Sequence, residues 1–344
     1  MKKLLVLIAA ALSATLVYAQ DADNVGNSAQ LSIIPRVDLN PYLGYNNNDG
    51  EFNFSNTGLY ALLEGTFADD FSYTGYFHFF DAYDFGYYYQ YPFYPAEYSW
   101  LDIANLTYAP GNFAFSIGKN TMAVGTFEME DWDHDVYYEQ SSSFWNNYQV
   151  YQWGADVSYY FNDDAYAMFQ VTSSPFSERT FSSGQLAYNL KLADLSHDFS
   201  YILAGNLVEM YDDCWMKMLA ASTGYAFGDF SLTLDTQYRW LPYHFEDTFS
   251  FSLGYSPSDR LNFKARVNYE DWKATDGWFD NMLINLLEPY FSEQDCVWGG
   301  LLCEYFPLRN RDLLRIHAAV THMPFAGQVS VNLGATLNIP ITLY

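Results

Sequence analysis

A chain of 344 residues with 15 Lys and Arg against 41 Asp and Glu has a formal charge of −26, so it lacks the basic clusters that neutralise phosphates and is excluded as a nucleic-acid binder. Half of its residues are hydrophobic, which excludes a disordered chain; 20% are aromatic and only 16% charged, against about 25% charged in an ordinary soluble domain. Beyond the first twenty positions there is no long uninterrupted apolar run, so helices cannot carry the chain through a membrane, and a closed β-barrel is the other structure that satisfies every backbone group in lipid.

The N-terminus reads as a secretory signal peptide over residues 1–19. Lys2 and Lys3 form the charged region, Leu4 to Val17 the apolar region, and Val17-Tyr18-Ala19 places small residues at the cleavage site. Cleavage after Ala19 removes two lysines and takes the charge from −26 to −28. Residues 20–30 are expected to be a short periplasmic segment, too short for a plug domain, and residues 31–344 the barrel.

From residue 31 the apolar positions follow a period of two, the signature of strands with one apolar face. Phe71, Tyr73, Gly75, Phe77 and Phe79 alternate with Ser72, Thr74, Tyr76 and His78. Leu232, Leu234, Thr236, Tyr238 and Trp240 alternate with Thr233, Asp235, Gln237 and Arg239. Leu261, Phe263, Ala265, Val267 and Tyr269 alternate with Asn262, Lys264, Arg266, Asn268 and Glu270. The last segment is the clearest: every odd position from Val329 to Leu343 is apolar, opposed by Ser330, Asn332, Gly334, Thr336, Asn338, Pro340 and Thr342. Sixteen strands are expected, with the first interrupted by Pro35 and Pro41 and the fourth, near Ala104, mixed in parity in the manner of a bulge. Lys119 and Lys217 are cations on otherwise apolar faces, both near strand ends, where a long side chain can snorkel.

Short turns join these strands at one end: Ala68-Asp69-Asp70, Pro110-Gly111-Asn112, Asn162-Asp163-Asp164, Gly228-Asp229 and Ser256-Pro257-Ser258-Asp259. Aromatics flank them, as in Phe67 and Phe71, Tyr108 and Phe113, and Phe227 and Phe230, which a soluble sandwich has no reason to do and a membrane interface does. Longer acidic, Tyr-rich segments lie at the other end. The fold class is therefore all-β: a transmembrane antiparallel β-barrel of about 16 strands with short periplasmic turns and long extracellular loops, in the outer membrane of a Gram-negative-type envelope.

A barrel of this size encloses an aqueous channel unless something fills it. The third long loop, residues 124–147, carries Glu128, Glu130, Asp131, Asp133, Asp135 and Glu139 without a Lys or Arg. Folded inward, these carboxylates would form a constriction that favours cations; folded outward, they are a solvated surface loop. Clustered hard oxygen ligands also allow a calcium site, although the spacing matches no EF-hand, so the metal remains unassigned. Inward parity is expected for Lys191, Arg239, Lys264, Arg266 and Arg315, of which Lys264, Arg266 and Arg315 lie across the barrel from the third loop by strand order, a basic wall facing the acidic loop. The second long loop holds the cluster Tyr87-Tyr88-Tyr89-Gln90-Tyr91-Pro92-Phe93-Tyr94, read either as a sugar-stacking platform or as loop-to-loop packing. No nucleophile elbow, HExxH or P-loop occurs, and no catalytic residue or cofactor is expected. Cys214 and Cys296 fall at loop ends where they could pair, whereas Cys296 and Cys303 on one strand are too far apart.

Residues 100–178 resemble the phosphate-selective porin O/P superfamily of outer-membrane porins, through Phe115-Ser116-Ile117-Gly118-Lys119, Gly125-Thr126-Phe127-Glu128, Ser143-Phe144-Trp145-Asn146-Asn147 and Thr172-Ser173-Ser174-Pro175-Phe176. The resemblance implies a sixteen-stranded channel that works as a homotrimer. It does not carry anion selectivity over, because such members line the pore with dense Lys and Arg. The expectation is a porin for passive diffusion of small hydrophilic solutes with mild cation preference, its partners being outer-membrane lipids and those solutes. A rim-active hydrolase and a structural barrel with a closed lumen are the alternatives.

Overall fold

The computed structural model describes residues 27–44, 51–53, 57–68, 70–81, 100–130, 140–142, 144–145, 150–177, 184–196, 198–211, 214–240, 244–274, 296–324 and 327–343. The signal-peptide segment, the tyrosine cluster of the second loop, and Asp131, Asp133, Asp135 and Glu139 lie outside the described residues.

The strands are β1 (Ser28–Gly44), β2 (Glu51–Asn53 continued by Gly58–Phe67), β3 (Phe71–Asp81), β4 (Leu101–Tyr108), β5 (Phe113–Thr121), β6 (Tyr151–Tyr160), β7 (Ala165–Ser173) and β8 (Leu186–Asp194). They continue as β9 (Phe199–Tyr211), β10 (Cys214–Phe227), β11 (Phe230–Trp240), β12 (His244–Ser258), β13 (Leu261–Ala274), β14 (Cys296–Tyr305), β15 (Leu314–Met323) and β16 (Gln328–Leu337 continued by Ile339–Thr342). Each pairs antiparallel with the next, and β1 closes on β16, so the sheet is a sixteen-stranded barrel without edges.

The first strand runs through both prolines and starts at Ser28, three residues before the sequence pattern begins. The ladder shows why Pro35 is tolerated. Ile33 pairs with Ile339 and Arg36 with Thr336, so Ile34 and Pro35 face the break in β16 at Asn338 on one side while pairing with Tyr60 and Leu59 of β2 on the other. A proline is tolerated within a strand where the ladder is interrupted on one side. The bulge expected near the fourth strand is present as a register shift between Tyr76 and Phe77 of β3, opposite Ile103 and Leu101 of β4.

Alternation sets the two faces. Ile117, Leu190, Leu219, Leu301 and Leu333 are exposed on the outside, while Asn189, Ser222, Gln237, Asn268 and Asn332 are buried inside. Aromatics ring the short-turn end: Phe67 stacks on Phe71, Phe71 on Tyr108, Phe227 on Phe230 and Phe230 on Tyr255, with ring centroids 4.6–5.5 Å apart. At these turns Gly111 and Gly228 take positive φ, and so does Ala68, at 56°, whose N–H donates to Asn27 Oδ1 at 3.1 Å.

Lys217 is exposed on the outer face near the start of β10, in register with Trp240. Lys119 does not snorkel to the surface. It is buried, and its ammonium donates to the carbonyl of Leu101. The three cysteines are free thiols, so Cys214 and Cys296 form no disulfide.

Candidate pore constriction

The chain leaves β5 at Thr121 and turns inward over the polar face of the barrel. An amide row holds the root. Gln170 on β7 accepts from the Ala123 N–H at 2.8 Å and donates to Thr121 O at 3.0 Å; Asn189 on β8 donates to Gln170 at 3.0 Å; Asn206 on β9 donates to Asn189 at 2.7 Å and to Ala123 O at 3.0 Å. These are inward positions of adjacent strands, which is why the side chains meet in line. Beside the row lies an apolar nucleus inside the barrel. Met122, Val124, Met129 and Phe144 from the loop pack on Ala187, Val208, Met216, Met218 and Ala220 from the wall.

The loop continues through a 3-10 turn at Phe127–Met129. The Phe127 N–H donates to Asp235 Oδ1 on β11 at 2.9 Å. Ser222 Oγ on β10 lies 2.5 Å from the same Asp235 oxygen and 2.9 Å from Gly125 O, so its single proton serves one acceptor at a time. The adjacent Gly224 leaves room for the Phe127 ring, whose Cζ would be 3.1 Å from a Cβ there.

The returning limb crosses to the far wall. The Gln140 side-chain amide donates to Thr321 Oγ1 on β15 at 3.2 Å, and its main-chain carbonyl accepts from Asn268 on β13 at 2.7 Å. Glu128 joins the two limbs: it accepts from the Ser142 N–H at 2.8 Å and from Ser142 Oγ at 2.6 Å, and pairs with Arg266 at 3.1 Å. Phe144 lies under Arg239, whose guanidinium carbon is 5.6 Å from the ring centroid. The described loop residues therefore lie against the inner wall from β7 to β15.

All five expected wall cations, Lys191, Arg239, Lys264, Arg266 and Arg315, share inward parity. They do not stand as a bare basic wall facing an acidic loop. Lys191 pairs with Glu130 and Arg266 with Glu128, so the two described loop carboxylates are already matched. Arg239 pairs with Glu246 at 2.7 Å, also binding Gln237 and Thr248, and Arg315 pairs with Glu304 at 3.4 Å. Pairing is what a buried cation requires, since an isolated charge in this environment is strongly disfavoured. Asp235, Gln170, Asn189 and Asn206 of the wall and Gln140 of the loop carry the loop's geometry, and of the four wall residues' roles the sequence shows only inward parity. Among the described residues no group of three His, Cys, Asp or Glu side chains suits a metal ion.

No protein-family model matches the chain, and no curated protein matches it. Solved structures match in fold. An anion-selective porin from Comamonas acidovorans is 9% identical with a TM-score of 0.61, covering 91% of this chain and 100% of that one. OmpT of Vibrio cholerae, an outer-membrane protein, is 12% identical with a TM-score of 0.60, covering 92% and 99%. A mutant of the Rh. blastica porin is 13% identical with a TM-score of 0.58, covering 90% and 100%. The chain has the fold of outer-membrane porins.

Proposed function

We propose that this chain is exported by its N-terminal signal, inserts in the outer membrane as a homotrimer, and works as a porin for passive diffusion of small hydrophilic solutes, without catalysis or cofactor. The observation that carries this reading is the third-loop segment folded onto the polar inner face of a closed sixteen-stranded barrel. A lumen faced with amides, hydroxyls and paired charges wets and conducts small polar solutes. The resemblance of residues 100–178 to the phosphate-selective porin superfamily supports the same class, and so does a trimer form described for the Vibrio cholerae protein.

Mild cation preference is part of the proposal. Lys191, Arg239, Arg266 and Arg315 each have a carboxylate within 4 Å, which leaves those cations little field with which to attract an anion, while the chain as a whole is strongly acidic. Reconstitution in planar bilayers tests both parts. Stepwise conductance with a reversal potential on the cation side is expected, strongest at low salt. A sealed bilayer holding correctly folded, heat-modifiable protein would overturn the porin reading, and chloride or phosphate preference would overturn the selectivity.

A further inference from the structure

We propose that Asp235 and Glu128 form a two-point clasp that positions the third loop and thereby sets the pore's cross-section. This rests on the porin reading above. Both residues are positioning residues: they act on the solute through the loop.

The geometry separates the two points. Asp235 belongs to the wall and is buried; it takes the N–H of Phe127 at 2.9 Å and sits against Ser222, which also reaches Gly125 O. It therefore ties the outgoing limb to β10 and β11. Glu128 belongs to the loop and accepts from Ser142 and Arg266. It therefore ties the outgoing limb to the returning limb and to β13. Hydrogen bonds from a backbone N–H to a carboxyl group are strong when buried, and the backbone N–H of Phe127 and of Ser142 each loses the acceptor it has here when that side chain is removed. The amide row holds the loop's root, and Met129, Phe144 and Gln140 hold points further along, so loss of the clasp leaves those points seated and loosens the stretch from Gly125 to Glu128 against the wall. A carboxylate so engaged does not act as a free charge on a passing ion. Its removal should change which sizes of solute pass more than which sign of ion passes.

The test uses full-length protein in liposomes and a size series of sugars. Asp235→Ala and Glu128→Ala are each expected to keep heat-modifiable mobility and to raise the swelling rate for the smallest sugar that wild type excludes by roughly tenfold, the shift that loss of a buried hydrogen bond gives a two-position loop. Asp235→Asn keeps an oxygen for the Phe127 N–H and is expected to restore most of the exclusion, which a role in bulk stability would not predict. A second readout needs no conductance. An aromatic-specific protease should cleave after Phe127 in the alanine variants and spare wild type. Folded alanine variants with the wild-type exclusion limit and the wild-type resistance at Phe127 would overturn the clasp. If wild type seals its bilayer while the alanine variants gain cleavage at Phe127, the clasp stands as the loop's anchor and the porin reading falls instead.

Discussion

Gly334 offers the sharpest test of how the barrel is closed. It lies on the inner face of β16, in register with Asp38 of β1 on one side and His317 of β15 on the other. Those two side chains meet over it: Asp38 Oδ1 is 3.0 Å from His317 Nε2, and both are fully buried. Arg36 Nε donates to the other Asp38 oxygen at 2.6 Å. The bridge spans three strands across the seam, and only a residue without a Cβ permits it. An alanine Cβ at 334 would overlap Asp38 Oδ1 and lie 2.6 Å from His317 Nε2. Asp38 must then swing away and leave Arg36 without its carboxylate. Displacing one partner of a buried pair costs about 3–5 kcal/mol, and the entropic gain of Ala over Gly in a strand returns only about 0.5–1 kcal/mol. Gly334→Ala is therefore expected to destabilise the barrel by about 2–4 kcal/mol, read by urea titration of the folded, heat-modifiable form. A double-mutant cycle locates the cause. Asp38→Ala removes the nearer of the two obstructing side chains, so Gly334→Ala should cost less in the Asp38→Ala background than in wild type. A Gly334→Ala barrel within about 0.5 kcal/mol of wild type, or additive effects in the cycle, would refute the bridge over the seam.

Four further outcomes are expected. Neutralising Glu130 to an amide, alone or with the remaining third-loop carboxylates Asp131, Asp133 and Asp135, should move the reversal potential toward anions, because Lys191 is then unmatched; an unchanged potential would mean that this pair does not face the conducting path. Leu190→Arg places a charge at the centre of the lipid-facing side of β8, where Leu190 is 61% exposed, and should cost roughly 2–4 kcal/mol in vesicle refolding. Ala68→Gly relieves a positive φ of 56° in a turn and should stabilise the barrel by about 0.5–1 kcal/mol in the same titration. Replacing Cys214, Cys296 and Cys303 with Ser should leave heat-modifiable mobility nearly unchanged, since all three are free thiols; loss of the folded band in Cys214→Ser or Cys296→Ser would show that a thiol pair matters.

The class of fold was open to reading because a membrane barrel writes itself in local terms. Strand residues alternate faces with a period of two, each face meets one solvent, and the girdle and turns repeat every two strands. Val329 to Leu343 and Leu261 to Glu270 announce their inner and outer positions without reference to any other part of the chain. The parity of Lys191, Arg239 and Arg266 follows from the same rule. So does the tolerance for charge on the inside and its near absence outside.

What that rule cannot reach is which inner residue meets which. Strand alternation says that Asp235 and Arg266 point into the lumen, yet it is closure of the cylinder that sets both beside a loop leaving the chain more than a hundred residues earlier. Glu128 reads in one dimension as one of six loop carboxylates, and in three as the joint between two limbs and a wall. Pro35 looks like a strand breaker until one of its two partner strands is found to break opposite it. Gly334 looks like any small inward residue until Asp38 and His317 are seen to meet above it. The sequence alone thus determined the barrel, its two faces and its polarity, because those depend on each residue's own solvent. The loop's seat, the charge pairs and the seam were decided by tertiary structure, because they depend on contacts between residues that share no local neighbourhood and that only the closed sheet brings within hydrogen-bonding distance.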